Sequence, residues 1–225
     1  MATSDVSQTS EVWNYKIALG VVAALGLIFQ IGHFAEHAFQ FGVWVLGDWS
    51  NICGRDTPWM SPWAMNLVQQ IGLVVAPSGD AARRTMLGME VLHLIGNGIF
   101  LTALVCLYVC LPSKWVRWAL YIETFHLYEH IMLTTSAFFV GKPIGMSTLF
   151  GAASVVGSRD FAVGFRVTWH FAMNLLPMPF AMLGIMEYER MRNALARVSP
   201  ADRFRGLRLV SCPKLRQGED PGART

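Results

Sequence analysis

All six histidines of this chain fall in two pairs of matching motifs. Gln30-Ile-Gly-His33-Phe-Ala-Glu36-His37 aligns with Glu123-Thr-Phe-His126-Leu-Tyr-Glu129-His130, and both read HxxEH. His93-Leu-Ile-Gly-Asn97 aligns with His170-Phe-Ala-Met-Asn174, and both read HxxxN. The intervening segments share a trace of the same repeat, Pro58-Trp-Met-Ser61 against Pro143-Ile-Gly-Met-Ser147 with one residue inserted. On a helix, residues four apart lie one turn above each other on one face, so two imidazoles at that spacing can hold one metal ion. The pattern therefore predicts a dinuclear metal site. His33, His37 and His93 would hold one ion, and His126, His130 and His170 the other. Glu36 and Glu129 would bridge or terminate the pair. Glu90, Asn97, Glu123 and Asn174 would orient the ligands by hydrogen bonds. Imidazole with carboxylate suits iron or copper, with zinc as a third choice.

The elements that must position these groups are membrane spans. The 225 residues are 53% hydrophobic and only 15% charged, against about 25% charge in a soluble domain. The missing charge is missing in blocks: one Glu is the only charged residue from Ile17 to Gly47, and one Glu again from Thr85 to Leu111. Both stretches exceed the ~20 apolar residues that cross a bilayer. Four transmembrane helices are predicted, at 13–47, 84–111, 115–140 and 162–187. The fold class is all-α, an integral membrane four-helix bundle built from two repeated helical hairpins. Pro112 joins the copies, and Pro177 and Pro179 should bend the last span. The divisions are a short N-terminus (1–12), a first repeat of two spans and an outer loop (13–111), a second repeat (112–188) and a basic tail (189–225). With both termini in the cytoplasm, 12 Lys and Arg fall inside and 6 outside, the sense of the positive-inside rule. In the outer loops, Ser61-Pro62 is predicted to start a short helix reaching Val75. Trp49, Trp59 and Trp63 there are read as interfacial anchors.

Depth brings the histidines together. At 1.5 Å per residue, His33 lies ~24 Å above Ile17, and His126 and His130 lie ~16 and ~22 Å above Trp115. His93 and His170 enter from the opposite side, ~12 and ~13 Å in. All fall in the outer half of a core ~30 Å thick. Glu36, Glu90, Glu123 and Glu129, left unpaired there, would together cost ~10 kcal/mol, so each needs a proton, a partner or a nearby cation. An alternative ligand set pairs Glu90-x-x-His93 with Glu123-x-x-His126, the Glu-x-x-His element of ferritin-like di-iron bundles.

The duplicated HxxEH and HxxxN boxes resemble a group of uncharacterised small bacterial membrane proteins, over about residues 28–185. A weaker likeness is to membrane di-iron hydroxylases, whose HxxxH clusters His33/His37 and His126/His130 match. The first resemblance implies a multi-pass protein of the bacterial cytoplasmic membrane; the second implies oxygenase-like oxidoreductase chemistry on a lipophilic or small substrate. Haem is the competing cofactor, with His37–His93 or His130–His170 as axial pairs. Metal or proton transport is a further class. The expected partners are the lipid bilayer and either a second copy or a larger membrane complex. Nothing resembles a phosphate loop, a nucleophile elbow or a nucleic-acid motif.

Overall fold

The computed structural model describes residues 4–47 and 60–197. Trp49, Pro58, Trp59 and most of the basic tail lie outside the described residues. The chain divides into two units, Met1–Met186 and Glu187–Thr225, and the histidines and the helices that carry them lie in the first. Among the described residues all regular structure is helical: α1 (Ser4–Val45), α2 (Pro62–Val75), α3 (Ala81–Cys110), α4 (Lys114–Phe139), a 3₁₀ turn (Met146–Gly151), α5 (Ala153–Val156), α6 (Arg159–Leu175) and α7 (Pro177–Arg197).

Local chemistry sets the boundaries. The side chains of Ser61, Asp80, Ser113 and Ser158 each accept a backbone N–H in the first turn of α2, α3, α4 and α6, satisfying donors that a helix start leaves orphaned. Pro62 follows Ser61 at the first position of α2, where a missing N–H costs nothing. The predicted short helix is thus present, from Pro62 to Val75. The last predicted span is two helices. Pro177 has no N–H to continue the ladder, and the chain passes from α6 to α7 through Leu176, which keeps helical angles (φ −57°, ψ −44°).

Helix α3 is the hub: it packs against α1, α2 and α4, and α1 packs in turn on α6. The α2–α3 approach requires glycine, because a Cβ on Gly88 would collide with Val68 O and one on Gly72 with Arg84 O. An apolar core lies toward the Leu111–Ser113 connection, formed by Phe100, Leu104, Leu107, Val116, Ala119 and Ala181. Toward the opposite end the interior turns polar. Gln30, His37, Glu90, Asn97, Glu123, His126, Glu129, His130, His170 and Asn174 are all buried there.

Among the described residues two helices are long and apolar enough to cross a membrane, Tyr15–Val45 and Ala81–Cys110. The sequence predicts four such spans. The second pair falls short for two reasons: Glu123 and Glu129 lower the mean hydropathy of α4, and the split at Pro177 leaves α6 only 17 residues long. In α4 the two glutamates point inward, while Trp118, Tyr121, Phe125, Tyr128 and Ile131 point out of the fold.

Candidate metal centre

The six imidazoles form one layer across four helices. α1 supplies His33 and His37, α3 supplies His93, α4 supplies His126 and His130, and α6 supplies His170. Two triads stand out, His33/His37/His93 and His126/His130/His170, and within each the ligand atoms lie within 4.8 Å of one another. They adjoin: the rings of His93 and His130 stack with centroids 5.4 Å apart, and those of His37 and His170 at 5.8 Å. Within each HxxEH motif the two Nε2 atoms face each other, at 3.3 Å for His33–His37 and 3.1 Å for His126–His130. Two imidazoles sharing a tetrahedral ion with metal–nitrogen bonds of about 2.0–2.1 Å have nitrogens about 3.3 Å apart. The motif pairs therefore already have the separation of two ligands on one ion, and the third imidazole of each triad stands further off.

Tautomers are fixed from behind. His93 Nδ1 donates to Met89 O (2.8 Å) and His170 Nδ1 to Arg166 O (2.9 Å). A carbonyl only accepts, so both rings carry the proton on Nδ1 and keep the lone pair on Nε2. His37 Nδ1 donates likewise to Gln40 Oε1 at 3.0 Å. The side-chain amides of Asn97 and Asn174 hydrogen-bond elsewhere than to the rings. Each donates from Nδ2 to the backbone carbonyl of the histidine one turn back, at 2.8 and 2.9 Å, so they brace the helix that carries the ligand.

The carboxylates of Glu36 and Glu129 serve the loops. Glu36 Oε1 accepts Ser61 N–H at 2.6 Å, and Glu129 Oε1 accepts Ser147 N–H at 2.7 Å. These are the two serines that the sequence repeat aligns. Glu129 Oε2 also accepts from Trp169 Nε1. The reason is helical: three residues on from the first histidine is a rotation of about 60° from it and about 100° from the second. The glutamate points beside the histidine face rather than along it.

Above the histidines, on the side of Ser61 and the 140–158 segment, Glu90 pairs with Arg166, a bond between α3 and α6 that joins the two halves of the repeat. Below them lies a second polar layer of Gln30, Asn97, Glu123 and Asn174, all fully buried. Gln30 Nε2 donates to Asn174 Oδ1 at 3.0 Å. The repeat places Glu123 where Gln30 stands and Asn97 where Asn174 stands. In that second pair Asn97 Oδ1 and both Glu123 oxygens lack a hydrogen-bond partner, and Glu123 Oε2 lies 3.6 Å from His126 Nδ1.

Sequence reasoning missed Gln30, Gln40 and Arg166. Gln30 stands inside the quoted repeat opposite Glu123, and that pairing was the available signal. Gln40 sits one residue short of a turn beyond His37. Arg166 reads only as a loop-side charge until its helix register places it one turn from His170.

The profile of a family of unknown function, DUF6008, matches residues 2–203. The chain belongs to this family. No curated protein and no solved structure matches it. Membership of DUF6008 brings no activity with it, and nothing in the match points toward the di-iron hydroxylases.

Proposed function

We propose that this DUF6008 protein is a multi-pass membrane metalloprotein with a dinuclear, all-histidine metal centre used in oxidoreductase chemistry. The observation that carries the reading is the pair of histidine triads, each with two Nε2 atoms 3.3 or 3.1 Å apart. Four spans form the membrane bundle: α1, α3, α4 and the bent α6–α7 pair, arranged as two hairpins with both termini in the cytoplasm. The surface supports this. Leu25, Ile28, Phe39, Ile95, Trp118 and Tyr128 face outward, whereas histidine, glutamate, asparagine and glutamine fill the interior. A large exposed apolar surface around a polar interior suits lipid as the solvent. The two glutamates that lower the mean hydropathy of α4 are buried inside the fold, and its exposed Lys114 and Arg117 stand in its first turn.

Copper fits the donor set best. The carboxylates that a di-iron bundle would use are engaged by loop backbone in Glu36 and Glu129 and by arginine in Glu90. Six neutral imidazoles remain, and among the metals that accept imidazole, copper(II) heads the affinity order. A haem needs a flat slot between its axial ligands. The centroids of His37 and His93 are 5.2 Å apart and those of His130 and His170 5.1 Å, with the other imidazoles packed around them.

The test is purification in mild detergent, elemental analysis and an absorption spectrum. Two equivalents of copper per chain and no Soret band are expected. A Soret band, or no bound metal after growth with copper, iron and zinc each supplied, overturns the proposal.

A further inference from the structure

Between the triads, on their loop side, is a cavity of about 20 Å³. Its floor is made by the rings of His37, His93 and His170, which come from both triads. Met89 and Val167 supply apolar lining, and Gln40 and Arg166 supply polar lining. All four of these residues lie on the loop side of the histidines on their own helices. The opposite side is closed by the fully buried layer of Gln30, Asn97, Glu123 and Asn174, and beneath it by the apolar core around Phe100 and Leu104.

Volume decides what this space can take. A single water needs at least about 10–15 Å³ by the same measure, so about 20 Å³ accommodates one or two heavy atoms and excludes an acyl chain or an aromatic ring. Arg166, the one charged residue of the lining, is already paired with Glu90. The apolar lining is a thioether and a valine. We infer that the exogenous ligand of this centre is a diatomic-sized inorganic molecule of the dioxygen type, bound where His37, His93 and His170 meet and reached from the loop side. A lipophilic molecule does not enter the site. The inference rests on the dinuclear copper reading and narrows its substrate class.

Carbon monoxide and tert-butyl isocyanide separate size from chemistry, since both bind copper(I) through a terminal carbon and differ in bulk. The full-length protein, loaded with copper(I) in detergent, is titrated with each and followed by infrared absorption. Carbon monoxide is expected to bind with a single bound C–O stretch, and the isocyanide to leave the centre unchanged at the same concentration. Val167→Phe, which enlarges the apolar lining, should weaken carbon monoxide by about tenfold or more with copper content retained. Val167→Ala should strengthen the isocyanide by about tenfold or more. Should the phenylalanine variant fail to fold or load, the alanine variant decides alone. A fully loaded protein that ignores carbon monoxide, or binds both ligands equally, overturns the cavity assignment and leaves the metal centre standing. A protein that binds no copper overturns both.

Discussion

The two triads share their scaffolding and differ in their surroundings. In each, the last histidine donates from Nδ1 to the carbonyl one turn back, an asparagine braces the same helix, and the glutamate of HxxEH holds a serine N–H of the adjacent loop. The second triad is wholly buried, while His33 and His93 of the first are only partly so. His37 Nδ1 has Gln40 as a partner, whereas His130 Nδ1 has none and the equivalent position is Leu133. Glu129 binds a serine and a tryptophan; Glu36 binds a serine, and Leu92 stands where the tryptophan would be. The two triads thus match in the parts that aim the nitrogens and differ in the side chains around them. On the proposed metal reading, the more exposed first triad would be the exchanging side and the wholly buried second triad the anchored side.

That contrast can be broken in order of severity. Arg166→Met should cost about 3–5 kcal/mol, because it strands Glu90 as an uncompensated buried charge. Thermal or denaturant unfolding in detergent measures it, and a loss below about 1 kcal/mol would mean the pair does not join the halves. His130→Ala and His37→Ala should each lower affinity for one copper by at least about a hundredfold. Elemental analysis is expected to find about one equivalent left in each variant; complete loss in both would make the two triads a single unit. Glu129→Ala should destabilise by about 3 kcal/mol and Glu36→Ala by about half as much, at about 1.5–3 kcal/mol for each hydrogen bond to a charged group. Equal losses in the same unfolding assay would remove the distinction between anchored and exchanging sides. Glu123→Gln should change stability by less than about 1 kcal/mol, because glutamine can donate to Asn97 Oδ1 as Gln30 donates to Asn174. A large loss there would show that the polar layer is not a repeat of itself.

Much of the centre is legible in the sequence, and the reasons are specific. Spacing of four within His33/His37 and His126/His130 is a statement about one helix, and such statements survive folding. The match of Ser61 with Ser147 shows only as a faint repeat, yet both N–H groups reach the same glutamate position. What escapes the sequence depends on rotation and on partners from other helices. Glu36 and Glu129 are read there as bridging or terminal ligands because they sit between histidines, but the helical rotation of about 60–100° turns them toward the loops. Arg166 finds Glu90 across 76 residues of chain, a pairing with no equivalent in the repeat, where Met89 and Val167 occupy the matching places. The span criterion fails for α4 for a related reason: hydropathy averages over a helix and does not know which face a glutamate takes.

The closed polar layer beneath the histidines has an electrical consequence. With that layer buried and the small cavity on the opposite side of the rings, the proposed centre would exchange protons, metal ions and small ligands through one face. In a membrane, charge moved during reaction would therefore enter and leave on the same side and cross little of the transmembrane voltage. The centre would turn over without generating or consuming membrane potential, unlike a pump built from the same residue types.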